Sequence, residues 1–131
     1  MSIEAEIFSI LSNSQDVTNL AESKIQAGML RQGEPVPAIT YYRVASSQAP
    51  TLTGPSTYEE AFITISAWAD TLQRAIELDG EIVKALEDSA EWDALDNAIA
   101  GSNRHLFDEE TRKHRVERDW RFFGTSHPTG A

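Results

Sequence analysis

Few residues of this 131-residue chain have the types and spacing that chemistry needs. Histidines stand only at 105, 114 and 127, and the absence of cysteine removes thiol nucleophiles, Cys-ligated zinc, iron–sulfur clusters and disulfides. No phosphate-cradling glycine loop, zincin motif, EF-hand loop or Gly-x-Ser-x-Gly elbow occurs. If Glu109-Glu110 forms a hairpin tip, His105 faces His114 across the ladder, and imidazoles about 5 Å apart at Cβ could hold a metal with Asp108 or Glu110. Two exposed hairpin histidines are the preferred reading, because a one-residue register slip separates the pair. The acidic runs Asp108-Glu109-Glu110 and Glu59-Glu60 would serve acid/base catalysis only if one carboxyl were buried, and turn or strand-edge positions keep them wet. No catalytic, cofactor-binding or metal residue is expected, and no cofactor.

Charge narrows the classes further. Asp and Glu number 21 against 11 Lys and Arg, a net charge of -10 and a pI near 4.6. The imbalance is local: residues 24–58 carry Lys24, Arg31 and Arg43 against Glu34, whereas residues 59–100 carry eleven acidic and two basic side chains. A net-acidic body argues against gripping duplex DNA, since affinity for phosphate comes from Lys and Arg that displace counterions. Arg112, Lys113, Arg115, Arg118 and Arg121 form a basic ladder, but Glu117 and Asp119 interleave with it, so cross-strand or intersubunit ion pairs are expected. Glu4 and Glu6 stand where a secretory signal needs basic residues, and no apolar run approaches the ~18 residues of a membrane span, so a cytoplasmic protein without a membrane segment is expected.

The elements that must position these residues follow from periodicity. Ile3, Ile7, Ile10 and Leu11 recur at helical spacing to about Ser12, and Val17 and Leu20 suggest one further turn. Residues 24–33 suggest a short strand broken by Gly28 and Gly33, and Glu34-Pro35-Val36-Pro37 leads into a β-branched and aromatic strand, Ala38 to Val44. Ser46 to Thr57, with Pro50, Gly54 and Pro55, reads as a long loop or mobile arm. A third strand places Ala61, Ile63, Ile65 and Ala67 toward a helix layer and Phe62, Thr64, Ser66 and Trp68 on the other side. Asp70 is the expected N-cap of a helix with Leu72, Ala75, Ile76, Ile82, Val83 and Leu86 as its apolar stripe, where Gly80 implies a close approach or a bend. Asp88 to Asn97 suggests another short helical turn, and Ile99–Phe107 and Arg112–Phe123 form a hairpin around residues 108–111.

The expected architecture is therefore a single α+β domain over 1–123, with a flexible tail over 124–131. Its one antiparallel or mixed sheet carries two main helices on one face and a C-terminal β-hairpin. Tyr42, Phe62 and Trp68 would then form an uncovered aromatic face, which argues for oligomerisation.

Gly33-Glu34-Pro35-Val36-Pro37-Ala38-Ile39-Thr40-Tyr41-Tyr42-Arg43-Val44, the Ser/Thr/Gly/Pro arm, Ile63-Thr64-Ile65-Ser66-Ala67-Trp68-Ala69 running into a helix, and the charged hairpin together carry a resemblance. Over roughly residues 3 to 123 the chain resembles the tail-completion or tail-terminator proteins of long-tailed bacteriophages and related phage-derived particles. The resemblance implies a structural, non-enzymatic virion subunit at the head–tail junction, assembled in the host bacterial cytoplasm. It implies a ring, typically hexameric, that caps the head-proximal end of the tail tube, ends polymerisation and docks the head connector while DNA passes without specific binding. Interface candidates are Leu52 and Thr53 in the arm, Tyr58, Phe62 and Trp68 in strand three, and Asp108, Glu109, Arg112, Arg115 and Arg118 in the hairpin. Ser89 to Asn97 is longer than a minimal helix-to-strand link, which leaves the hairpin register open. The rival readings are an acidic adaptor or inhibitor and a small metal-dependent enzyme.

Overall fold

Strict alternation along residues 61–68 makes one strand the spine of the molecule, because an extended backbone sends successive side chains to opposite faces. The computed structural model describes residues 3–21, 24–28, 30, 34–51, 54–87, 95–110 and 112–125. Eight elements run in the order α1 (Ile3–Asn13), α2 (Gln15–Ala21), β1 (Ile25–Ala27), β2 (Ala38–Thr51), β3 (Gly54–Ala69), α3 (Leu72–Glu87), β4 (Leu95–Asp108) and β5 (Lys113–Thr125). The strands form one sheet in the order β1-β2-β3-β5-β4, with β1 parallel to β2 and every other pair antiparallel. The fold is α+β, as the residue pattern implies, and the C-terminal hairpin is present.

All three helices lie on one face. Ile3, Ile7, Ile10 and Leu11 of α1, Val17 and Ala21 of α2, and Leu78, Ile82 and Leu86 of α3 meet Ile39, Tyr41, Ala61, Ile63, Ile65, Ala67, Trp120 and Phe122 of the sheet in one buried cluster. Burying each Ile- or Leu-sized side chain contributes roughly 1.5–3 kcal/mol, so this cluster is the main source of stability. Two ion pairs tie the helices down at its margins. Arg43 of β2 donates to Glu4 of α1, and Arg118 of β5 donates to Asp79 of α3 through Nε at 3.2 Å and Nη2 at 2.8 Å.

Several expectations need correction. The N-cap of α3 is Thr71, whose hydroxyl accepts from the Arg74 N–H at 3.2 Å and whose carbonyl accepts from Ala75 N–H; Asp70 instead binds Lys113. The buried stripe of α3 is Ala75, Leu78, Asp79, Ile82 and Leu86, while Leu72 and Ile76 are exposed. Gly80 interrupts nothing: α3 runs through it, and a Cβ there would meet no atom within 4 Å. The expected loop over Ser46 to Thr57 is mostly strand, since β2 and β3 stay paired out to Thr51 and Gly54. Pro50 and Pro55 misled because proline weakens a central strand but is tolerated in an outlying ribbon, where edges are open. Residues 95–97 are strand rather than helical turn, whereas 88–94 lie outside the described residues. Strand β5 continues through Gly124 and Thr125, and the rest of the expected tail lies outside the description.

Candidate functional site

The face without helices is a chemical surface rather than an apolar one. Because β3, β5 and β4 are neighbours, their alternate residues form rows: Trp68, Arg115 and Leu106; Ser66, Glu117 and Arg104; Phe62, Arg121 and Ile99. Arg104 organises the centre. Its guanidinium donates to Glu117 Oε1 at 3.1 Å through Nη2 and to Asp119 Oδ2 at 2.9 Å through Nη1, and Thr64 Oγ1 donates to Asp119 Oδ1 at 3.1 Å. The bond from Arg104, joined by that from Thr64, holds the Asp119 carboxyl below its ordinary range despite partial desolvation. Asp119 and then Glu117 in turn raise the Arg104 pKa. On the helix face, burial alone would raise the pKa of Glu4, but the hydrogen bond and charge of Arg43 more than offset it and lower the value. Burial, then the Glu4 charge, raises that of Tyr41.

The expected uncovered aromatic face is not found among the described residues. Trp68 is fully buried against Leu30, Ala38 and Val36. Its indole N–H donates to Thr40 Oγ1 at 2.9 Å, and Arg115 lies 5.0 Å above its ring centroid. Trp68 is thus a core residue of the covered end of this face, and Arg115 is occupied by Trp68 and by Glu117 at 3.4 Å. Phe62 is half-buried beneath Arg121, which also approaches Phe123 and donates to Glu60. Arg118 points to the opposite face and binds Asp79 and the Gly101 carbonyl. The basic ladder is therefore largely satisfied by cross-strand and strand-to-helix pairs within the chain. Asp108 ends β4 and accepts from the Glu110 N–H at 3.0 Å, Glu109 is exposed in the turn, and Arg112 holds a left-handed φ of 56°. Tyr58 pairs with Thr125 in the backbone register, whereas Leu52 and Thr53 lie outside the described residues.

The histidine pair does not form. His105 stands opposite Val116, and His114 stands opposite Phe107, with ring centroids 5.0 Å apart. Four residues, 109–112, join the strands, which moves the ladder by two from the expected register. Among the described residues no group of three His, Cys, Asp or Glu could hold a metal, and no helix is long and apolar enough to cross a membrane.

Sequence reasoning missed Arg104 and Asp79. Asp79 carried a signal: it shares the α3 face with Ala75, Ile82 and Leu86, and an acid on a buried stripe needs a cation. Arg104 carried none, because its place opposite Glu117 follows from the four-residue 109–112 turn, whose length no residue spacing announces.

The backbone register also locates the two projecting features. Tyr58 lies beside Thr125 at one end of the sheet and Ala69 beside His114 at the other, so the β2–β3 hairpin tip and the 109–112 turn are at opposite ends. The family model of tail completion protein gp17 matches residues 5–123, which span all eight elements apart from their outermost residues. The chain belongs to that tail completion family. A chain in the solved "Virion of native gene transfer agent (GTA) particle" matches this fold with a TM-score of 0.67 at 13% identity, covering 95% of each chain. No curated protein sequence matches. As a member of the tail completion family, the protein is a structural component of a phage-type tail.

Proposed function

We propose that this tail completion subunit assembles into a homo-hexameric ring at the head-proximal end of the tail tube. The ring ends tube polymerisation and presents the surface that docks the head connector. The observation that carries this reading is the family match over residues 5–123. Placement of the β2–β3 tip and the 109–112 turn at opposite ends of the sheet supports it, since a ring that joins two different partners needs two differently built ends. Contacts with the tail tube and the connector are assigned to the segment that joins β2 to β3, with Leu52, Thr53 and Tyr58, and to the segment that joins β4 to β5, with Asp108, Glu109 and Arg112. DNA slides through because the body is net acidic and Arg104, Arg115, Arg118 and Arg121 each face a carboxylate. The subunit acts without catalysis and works in the virion after assembly in the host cytoplasm.

Replacing residues 49–55 by a short Gly/Ser turn tests this reading. Folding should be little affected, because the replacement removes only the outermost pairs of the β2–β3 ribbon and no residue of the buried clusters. Particles from cells carrying the trimmed gene should show overlong tails and unattached heads. Normal infectious particles would remove the arm from partner binding.

A further inference from the structure

Most of the described arginines are neutralised inside the chain. Arg43 binds Glu4, Arg104 binds Glu117 and Asp119, Arg115 lies over Trp68 beside Glu117, Arg118 binds Asp79, and Arg121 binds Glu60. Arg74 and Arg112 are the exceptions: both are exposed, and neither guanidinium has a partner among the described residues. The two stand on different backbone. Arg74 is in the first turn of α3, where any good helix former fits. Arg112 closes the four-residue connection between β4 and β5 with φ at 56°, the only positive φ of a non-glycine residue among the described residues. In that left-handed region a Cβ crowds the neighbouring carbonyl, so such turn positions favour glycine or asparagine.

The turn is braced without help from this side chain. Asp108 Oδ1 accepts from the Glu110 N–H at 3.0 Å, Lys113 Nζ donates to Asp70 Oδ1 at 2.8 Å, and the rings of Phe107 and His114 stand 5.0 Å apart at its base. The chain thus carries a long cationic side chain where the backbone disfavours it, and no described contact within the fold offsets that cost. The compensating contact lies outside the subunit. Charge identifies its kind. Asp108, Glu109 and Glu110 precede Arg112, and Lys113 is taken by Asp70. A polyanion such as DNA is repelled by that acidic triplet. A protein surface with an Asp or Glu beside Lys or Arg complements both signs.

We propose that Arg112 pairs with a carboxylate of the protein that docks on the 109–112 turn of the assembled subunits. The planar guanidinium takes both carboxylate oxygens at once, while Glu109 and Glu110 meet basic side chains of the same surface. The braced turn fixes the base of the arginine in advance and so reduces the ordering that binding requires. This inference rests on the docking reading and names the chemistry of one of its contacts.

The test returns variants of the full chain to cells whose particle genome lacks the gene. Arg112→Asn removes the charge and suits the left-handed backbone, so it should melt no lower than the wild type. Heads joined to tails, counted by electron microscopy, should nevertheless fall at least tenfold. Arg112→Lys keeps the charge but not the planar fork and should fall between the two. Arg74→Ala, which removes the other unpaired arginine, should join normally. Suppressors of Arg112→Glu should replace an Asp or Glu of one partner protein by Lys or Arg. Normal joining by Arg112→Asn overturns the proposal, and so does a large drop in its melting temperature, which would make Arg112 a structural residue. An equal loss in Arg74→Ala, or suppressors confined to this chain, overturns it as well. Particles that join but fail to deliver DNA would move the contact to nucleic acid. Joined particles in the absence of the gene overturn the docking reading itself, whereas a joining defect in the deletion with normal Arg112 variants leaves that reading standing.

Discussion

The two faces of the sheet are built from the same alternating strands and are stabilised by different physics. On the helix face Ile39, Ile63, Ile65, Trp120 and Phe122 are sealed by aliphatic side chains, and charge enters through pairs that reach a helix, Arg43–Glu4 and Arg118–Asp79, and through Glu6, buried in α1. On the other face Arg104, Glu117, Asp119 and Thr64 bond to one another across neighbouring strands, and aromatic rings are covered by guanidinium groups. Only near Trp68, under Leu30 and Val36, does that face become a dry core. A sheet face without helices can thus be closed by cross-strand polar bonds at one place and by a folded-over chain segment at another, and an aromatic residue there is no sign of an interface by itself.

The largest effect should come from Trp68→Ala. If Trp68 is core, truncation costs about 3–5 kcal/mol from lost transfer energy and the cavity left behind. Urea unfolding of the assembled or monomeric protein should place the variant's midpoint far below the wild type. A variant of unchanged stability that merely dissociates would restore the interface assignment and remove the distinction between the two ends of this face.

Ion pairs on the two faces should separate next. Asp79 is 5% exposed, so Asp79→Ala leaves the Arg118 guanidinium desolvated with only the Gly101 carbonyl, at a cost of about 3 kcal/mol. Arg104→Ala removes two ion pairs whose cation is exposed to water, and should cost about 1 kcal/mol or less. Equal losses measured by denaturant titration would mean that the open face is as desolvated as the helix face.

Glycines offer a smaller contrast. A Cβ on Gly101 would stand 2.6 Å from the backbone oxygen of Asp119, so Gly101→Ala must shift β4 against β5 and should destabilise by about 1–3 kcal/mol. Gly80 is exposed in α3 with open space around its Cβ position, so Gly80→Ala should stabilise by about 1 kcal/mol through helix propensity. Thermal melts of the two variants should therefore move in opposite directions.

What residue patterns could reveal differs between these regions for a physical reason. The helix face of β3 was legible because Ala61, Ile63, Ile65 and Ala67 need only be apolar at every second position. The α1 helix was legible to within a residue through the spacing of Ile3, Ile7 and Ile10. The covering of Trp68 was not legible, because it depends on where residues 30–38 fold back. Nor was the hairpin register, because a four-residue turn sets His105 opposite Val116 and His114 opposite Phe107 without changing any local pattern. The family assignment rests on the match over residues 5–123 and not on these details.

The smallest expected effect concerns Asp119 and acid. Its carboxyl titrates below the ordinary value of 3.8 in the folded state, chiefly because Arg104 donates to it and secondarily because Thr64 does. A depressed folded pKa means that the unfolded chain takes up the proton first as pH falls. The stabilisation is therefore complete well above pH 4 and is lost as pH drops through the folded value. More than half of this side chain is exposed, so solvent screening limits the contribution to about 0.5 kcal/mol. Asp119→Asn should be slightly less stable than the wild type at pH 7, and the deficit should shrink as pH falls below 4, by urea titration at each pH. A deficit that persisted undiminished in acid would show that Asp119 acts through packing rather than charge, and the open face would then resemble the helix face more closely than its exposed ion pairs imply.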